Sequence, residues 1–211
     1  MVGVEAFVDP SCPWMWITSR WLKEVAPQRD LEITWRSYCL EIRDDYSVNA
    51  AVPEHMREAA LTGHAISHRM LRIFEATRLD AGEDAVDALY TEWGRHFFQR
   101  DAVRNDELLA TCVTACGLDE RLLDAAGDEK WDVAIVESME VAYEYGGPKT
   151  QTPTIVVRSD PPHGFKGPVM SPAPTGDGAL RMWDAIQVLA QEPGFFEITR
   201  PRRNAPRVEH T

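Results

Sequence analysis

The residues with the clearest chemical potential lie in the segment DPSCPWMW, at positions 9–16. Cys12 precedes Pro13 and Trp14, as the first cysteine of a Cys-x-x-Cys redox motif would, but Met15 stands where the second cysteine would be. A thioether cannot attack a mixed disulfide, so the motif offers one reactive sulfur. The motif cannot close a disulfide within itself, whereas a single thiolate can add to a substrate and leave again.

A helix pattern follows this segment and runs from about Trp14 to Val25, and residues 26–28 are predicted to end it. Cys12 is therefore expected at or just before the helix N-terminus, where unpaired N–H groups and the positive end of the helix dipole lie. Both favour a thiolate, so we predict that the pKa of Cys12 is lowered. Pro13 suits the first turn, where no N–H donor is needed. Cys12 is accordingly the predicted catalytic nucleophile.

Three tryptophans lie close to Cys12 in the sequence, namely Trp14, Trp16 and Trp21. Helical spacing requires some of them to pack in the core, and Trp21 is the best placed for that. Trp14, beside the thiol, either lines a cleft for a conjugated or aromatic substrate or only shields the thiol. Both alternatives stay open at this point.

Two histidines, His64 and His68, lie four residues apart on a predicted helix, a spacing that would suit zinc if a third ligand were present. The segment reads HAISH, however, and lacks the glutamate of an HExxH motif. A solvated or cleft-lining pair is the favoured interpretation. Either histidine is a candidate proton shuttle, because histidine titrates near neutral pH. His55 is a more distant candidate of the same kind.

The other three cysteines lie far from the motif in the sequence. Cys39 falls on a predicted strand, and Cys112 and Cys116 lie four residues apart on one face of a predicted helix. Two ligands do not make a zinc site, and the small apolar neighbours of this pair favour core packing. No metal site is predicted.

The elements around these residues begin with strand, helix and strand, an order that favours a parallel pair with a crossover helix. A block with helical periodicity and no convincing strand follows, and then two strands and a final helix. The predicted strands cover 4–8, 31–40, 152–157 and 164–170, the helical block covers 53–145, and the last helix covers 178–191.

The charge balance restricts the classes of partner. The 211-residue chain carries 22 basic and 34 acidic side chains, a formal net charge of −12. This argues against nucleic acid as a partner, because phosphate binding requires a concentrated basic face. No stretch approaches the ~18 apolar residues of a membrane span, and the first residues lack the pattern of a signal peptide. We therefore expect a cytoplasmic protein with no membrane partner and with free thiols.

The element order and several segments resemble the DsbA family, in which a thioredoxin-like fold carries a helical insertion. The resemblance is to a cytoplasmic branch that contains FrnE-like proteins, 2-hydroxychromene-2-carboxylate isomerases and kappa-class glutathione transferases. Within this branch the chain looks most like actinobacterial mycothiol-dependent reductases. The likeness extends over most of the chain and rests on the segments FVDPSCPWMWITSRW, VPEHMREA, TPTIVV, GPVMSPAPTGDGALRMWDA and FFEITRPR.

The resemblance implies an α/β, thioredoxin-like fold with an all-helical insertion. Its first part covers 1–50 (β-α-β), the helical insertion 51–146, and its second part 147–192 (β-β-α). Residues 193–211 form an irregular basic tail. The tail arginines Arg200, Arg202 and Arg203 either meet an acidic partner or, as we prefer, are solvated.

The resemblance also assigns roles to individual residues. Cys12 matches the nucleophilic cysteine of the family, and Pro153 matches the cis-proline that faces it. A cis bond would leave the backbone of Thr152 free to bond an extended substrate or a thiol cofactor. The residues predicted to bind substrate or thiol are Pro13, Trp14, Met15, Thr152 and Pro153.

Three functions are compatible with one cysteine. We prefer a cis–trans (Z/E) isomerase that adds the Cys12 thiolate reversibly to a conjugated unsaturated acyl or polyketide-type substrate in natural-product biosynthesis. The alternative is a mycothiol-dependent oxidoreductase or transferase, in which the small thiol supplies the second sulfur. The third is a thioredoxin-like scaffold that binds a partner without catalysis.

The expected ligands follow from these functions. The preferred substrate is a small-molecule or carrier-protein-bound unsaturated acyl group. The isomerase needs no cofactor, whereas the alternative uses mycothiol or another low-molecular-weight thiol. A homodimer remains open.

Overall fold

The protein builds a small sheet whose central strand ends at the Cys12 segment. The computed structural model describes residues 1–43, 52–99, 103–202 and 204–208. Within them the first unit is strand β1 (Val2–Val8), helix α1 (Pro13–Arg29) and strand β2 (Leu31–Ser37). β1 and β2 are parallel, with Ala6 opposite Trp35. The crossover helix between them is what a parallel pair requires.

The second unit completes the sheet with strands β3 (Thr154–Val157) and β4 (His163–Lys166). β3 pairs antiparallel with β1, and β4 pairs antiparallel with β3, so the order is β2-β1-β3-β4. All four residues of β3 are buried. Because successive side chains of a strand point to opposite faces, the sheet is covered on both faces at β3.

Helical elements fill the described chain between β2 and β3. The α-helices are α2 (Arg57–Ala81), α3 (Glu83–Gly94), α4 (Asp106–Ala115) and α5 (Asp132–Gly146). Shorter 3₁₀ segments cover Glu54–Met56, Glu120–Gly127 and Glu129–Trp131, and a π-helical segment covers Arg95–Gln99. No strand occurs among residues 52–99 and 103–146.

Two packing contacts hold helices on the sheet. The last helix, α6 (Asp177–Ala190), packs against α1, where the Trp21 indole N–H donates to the carbonyl oxygen of Ala179 at 3.1 Å. Helix α5 contacts all four strands. Trp21 is buried in the core, as predicted from its spacing.

Helix α3 approaches the Cys12 helix unusually closely. A Cβ on Gly94 would lie 2.0 Å from the nearest ring atom of Trp16, so only glycine fits there. Its neighbour Trp93 donates its indole N–H to the carbonyl oxygen of Pro10 at 2.8 Å. Helix α3 thus contacts both α1 and the loop that carries Cys12.

Several predicted boundaries were wrong. Helix α1 does not end at 26–28 but contains Pro27 and continues to Arg29. Proline removes only one backbone hydrogen bond there, and Asp30, in the left-handed region, then closes the helix through its N–H to Ala26. The strand predicted to reach residue 40 ends at Ser37, so Cys39 follows the strand instead of lying on it.

Candidate functional site

The nucleophile predicted from the sequence caps the first helix. Cys12 is the N-cap of α1 with an extended backbone, and Pro13 occupies the first helical position. The backbone N–H of Cys12 donates to the carbonyl oxygen of Asp9 at 2.9 Å, and the carbonyl oxygen of Cys12 accepts from the N–H of Trp16 at 3.0 Å. The N–H of Met15 points at Sγ of Cys12 at 3.4 Å. The sulfur therefore takes the place of the side-chain oxygen that usually caps a helix.

Thr152 faces this sulfur from the other side. Sγ of Cys12 lies 3.7 Å from the carbonyl oxygen of Thr152, a distance at which the thiol donates a hydrogen bond. The Thr152 hydroxyl donates to the carbonyl oxygen of Phe7 in β1 at 2.6 Å. The peptide bond between Thr152 and Pro153 is cis, and both residues are buried.

Burial decides the resting state of the thiol. Only 6% of Cys12 is exposed. Burial raises the pKa of Cys12 to about 12, and the negative charge of Asp9 adds to the shift, whereas the N–H of Met15 and the charge of Arg202 oppose it. The predicted lowering of the pKa was therefore wrong for this state, because desolvation outweighs the helix N-terminus. Cys12 rests as a neutral thiol.

The other predicted binding residues around Cys12 differ in exposure. Pro13 and Trp14 are half-buried and open to a ligand. Met15, in contrast, is fully buried and reaches the thiol only through its backbone N–H. Its side chain points into the core, so no face of it is open to a ligand. The guanidinium of Arg202 lies over the Trp14 ring, 5.1 Å from its centre.

The two predicted proton shuttles have separate surroundings. His68 is held between two carboxylates, with Nδ1 2.8 Å from Glu41 and Nε2 2.8 Å from Asp132. Both ring nitrogens are therefore engaged, so His68 links the loop after β2 to α5. His64 is buried, and burial lowers its pKa while the charges of Asp9 and Glu41 oppose that shift. His55 is exposed in the Glu54–Met56 segment.

Sequence reasoning missed the carboxylate that organises the cysteine loop. Asp9 is fully buried at the end of β1. Its Oδ1 accepts from the Ser11 N–H at 2.8 Å, the Ser11 hydroxyl at 2.5 Å and the Ser67 hydroxyl at 2.7 Å. Its Oδ2 accepts from the Leu40 N–H at 2.7 Å. The only available signal was an aspartate where an apolar strand ends, just before the cysteine.

The remaining cysteines provide no second sulfur in this structure. All four cysteines of the chain are free thiols. Cys39 and Cys112 are fully buried, and burial raises the pKa of Cys39. Cys116 is half-buried and follows the last residue of α4. Over the described ranges, no group of three or more His, Cys, Asp or Glu side chains is arranged to hold a metal ion.

The fold and this site define the class of protein. A thioredoxin-like sheet with helices between β2 and β3, and a cysteine at the N-terminus of α1, is the arrangement of DsbA-like proteins. A probable DsbA oxidoreductase from Streptomyces coelicolor superposes with a TM-score of 0.59, at 19% identity over 94% of each chain. A 2-hydroxychromene-2-carboxylate isomerase superposes with a TM-score of 0.54, at 13% identity over 88% of this chain and 94% of the isomerase. The predicted fold class is confirmed.

The family follows from the sequence itself. The family model described as Rv2466c-like, mycothiol-dependent nitroreductase Rv2466c, matches residues 11–200. The chain belongs to this family, and the predicted resemblance is confirmed. An uncharacterized protein of Mycobacterium tuberculosis, Rv2286c, is 26% identical over 97% of this chain and 84% of the relative.

Proposed function

We propose that this chain is a monothiol enzyme that isomerises a carbon–carbon double bond between its Z and E forms in a conjugated unsaturated acyl substrate. One observation carries the proposal: Met15 is fully buried at the position of the second motif cysteine, so Cys12 carries the sole thiol of its motif. An isomerase regenerates its thiol without an electron acceptor and needs no second sulfur.

The reaction balances with Cys12 alone. The thiolate adds to the β-carbon, a carbon–sulfur bond forms, and the π electrons move to the carbonyl oxygen as an enolate. The former double bond is now single and rotates. The enolate then re-forms the double bond and expels the thiolate, so nothing is oxidised or reduced.

The surroundings of Cys12 suit these steps. The half-buried ring of Trp14, with the guanidinium of Arg202 over it, borders the thiol and would line the path of a conjugated substrate. Because the pKa of the resting thiol is about 12, its proton must leave when the substrate binds. We propose His64 as the acceptor, because the charge of the buried Asp9 acts on both Cys12 and His64, so both side chains lie near the same carboxylate, and a neutral imidazole accepts a proton.

A second candidate is favoured by the family match. In a mycothiol-dependent oxidoreductase or transferase, Cys12 would attack a disulfide and release one thiolate, forming a mixed disulfide. A mycothiol thiolate would then attack this bond and release Cys12. The small thiol supplies the second thiol group that Met15 does not provide, and the family name includes mycothiol dependence.

The deciding experiment follows double-bond geometry by NMR in a Z-configured conjugated thioester, first without any small thiol. We expect conversion to the E form with the wild type and none with Cys12→Ala. Conversion that appears only after mycothiol is added would favour the second candidate. An unreactive Cys12 and no conversion in either condition would leave a binding scaffold.

The setting of the activity is part of the proposal. The substrate is a small molecule or an acyl group on a carrier protein, as in natural-product biosynthesis. The free state of all four cysteines supports a reducing, cytoplasmic compartment. None of the described helices is long and apolar enough to cross a membrane.

A further inference from the structure

The C-terminal segment returns to the Cys12 site after α6. Residues 202 and 204–208 form this segment, the C-terminal strap. Ser171, in the loop after β4, donates its hydroxyl proton to the carbonyl oxygen of Ala205 at 3.0 Å. The same hydroxyl oxygen accepts from the N–H of Arg207 at 2.9 Å. Val208 packs half-buried against the core.

The loop that anchors the strap is itself tied to the cysteine helix. Thr18, in α1, donates its hydroxyl proton to the carbonyl oxygen of Pro168 at 2.8 Å. Met170, next to Ser171, is buried. The loop of residues 168–171 therefore connects the strap to α1, because Thr18 bonds Pro168 at one end of the loop and Ser171 bonds the strap at the other. These hydrogen bonds hold the strap near the helix that begins at Cys12.

The strap places one cation at the mouth of the site. The guanidinium of Arg202 lies over the ring of Trp14, two residues after Cys12. Arg202 is exposed, and no salt bridge involves it in the ranges that the structure describes. A guanidinium stacked on an aromatic ring keeps its N–H donors in the ring plane free for an incoming oxygen anion.

The charge around Cys12 has two opposing sources. Asp9 is fully buried and accepts four hydrogen bonds, whereas Arg202 is exposed and lies over Trp14, and the charges of both act on Cys12. The chain as a whole carries a formal net charge of −12. A local cation on a strongly acidic protein is what an anionic ligand atom requires in order to approach the thiol.

We propose that Arg202 is the cationic group of the Cys12 site and binds a negatively charged oxygen of the ligand beside the thiol. The identity of that oxygen rests on the proposed function: it is either a permanent carboxylate of the substrate or the enolate oxygen that forms when Cys12 adds. Arg202 then contacts the ligand directly, and Trp14 holds the guanidinium in place.

The first test needs no substrate. Cys12 is alkylated with iodoacetate or with neutral iodoacetamide, each forming a carbon–sulfur bond with loss of iodide, and mass spectrometry follows the Cys12 peptide. We expect Arg202→Gln to lower the iodoacetate-to-iodoacetamide rate ratio roughly three- to tenfold, the size for a unit charge several ångströms away in a partly aqueous medium. Arg202→Lys should retain most of the ratio.

The matched control is Arg200→Gln, which removes the same charge from the same tail. It should leave the ratio unchanged, and high salt should lower the ratio of the wild type. An unchanged ratio in Arg202→Gln, or an equal fall of both rates, would overturn the proposal. Thermal unfolding of each variant shows that the fold is intact.

A second arm identifies the oxygen and separates the two proposals. The isomerisation assay compares an unsaturated carboxylic acid with a neutral unsaturated thioester. Loss of turnover in Arg202→Gln with the acid alone indicates a permanent carboxylate, and loss with both indicates the enolate. No loss with either overturns the proposal for Arg202. If no acceptor turns over in the wild type but the alkylation ratio responds to Arg202→Gln, the isomerase proposal fails and Arg202 keeps its role.

Discussion

The thiol of Cys12 donates a hydrogen bond to the carbonyl oxygen of Thr152, with Sγ and the oxygen 3.7 Å apart. A thiolate has no proton to donate, so this contact belongs to the neutral form. The contact and the burial of Cys12 both favour the neutral thiol, so Cys12 is protonated in the resting protein.

Alkaline pH should therefore destabilise the fold through Cys12. The folded pKa is about 12 and the ordinary value is 9.0, so the folded state holds a proton that the unfolded state releases. This stability is fully present below pH 9 and is lost as the pH rises toward about 12, at about 1.4 kcal/mol for each pH unit. Burial raises the pKa of Cys39 as well, which adds a second loss of the same sign.

Urea unfolding at pH 8, 9 and 10 measures this slope. Cys12→Ala removes one of the thiols whose pKa is raised in the folded state, so its stability should fall less steeply with pH than that of the wild type. Comparison of slopes cancels the packing change that the substitution itself causes. Identical slopes for the two proteins would contradict the assignment of a raised pKa to Cys12.

Met15→Cys should restore a dithiol site. Position 15 is the third residue of α1, and its N–H lies 3.4 Å from Sγ of Cys12, so a cysteine there would be close to the thiol. We expect mild oxidation to remove two protons and two electrons and form a disulfide, detectable as a mass loss of about 2 Da. The oxidised variant should lose thiol-addition activity and recover it on reduction.

Met15→Leu is the matched control, because it keeps an apolar side chain of similar volume at a fully buried position. It should leave the activity of Cys12 largely intact and form no intramotif disulfide. A failure of Met15→Cys to oxidise while Cys12 remains alkylatable would show that the two positions are held apart.

Asp9→Asn should weaken the loop that carries Cys12. Four donors converge on the two carboxylate oxygens of Asp9, and an amide must turn its NH₂ group toward at least one of them. An unsatisfied buried donor costs about 1–3 kcal/mol, so the free energy of unfolding in urea should fall by that amount. Ser67→Ala, which removes one donor from Asp9, should cost less. Equal stability of Asp9→Asn and the wild type would argue against this network.

Gly94→Ala should be among the most destabilising single methyl additions in the chain. The new Cβ would meet the Trp16 ring at 2.0 to 2.4 Å, and Trp16 is itself buried, so neither side has room to move. Overpacking of this kind costs typically about 1–3 kcal/mol. Gly127→Ala, with no atom within 4 Å of the added carbon, should be close to neutral in the same thermal unfolding assay.

Local signals in the sequence predicted the frame of the site well. A periodicity or a capping residue that acts over a few positions marks the first strand, the helix start at Pro13 and the helical block. The resemblance supplied what periodicity does not, namely the pairing of Cys12 with residues near Pro153. Trp21 was placed in the core by its helical spacing alone.

The errors arise where distant chain segments determine the environment. The pKa of Cys12 depends on burial beneath Thr152, which no local pattern reports. The role of Asp9 could not be predicted because its partners Ser67 and Leu40 come from distant parts of the chain. The position of Arg202 depends on the anchoring of the tail at Ser171, and a proline-rich basic segment gives no indication of such an anchor.

The separation of Cys12 and Thr152 by 140 residues also affects the nascent chain during translation. At roughly 5–20 residues per second, synthesis brings out the cysteine roughly 7–28 s before the carbonyl that accepts its proton. The central strand β1 likewise waits for β3 before it is paired on both sides. During translation the sulfur is therefore more open to oxidants than in the folded protein, where only 6% of Cys12 is exposed, and new chains depend on the reducing capacity of their surroundings until β3 has been made.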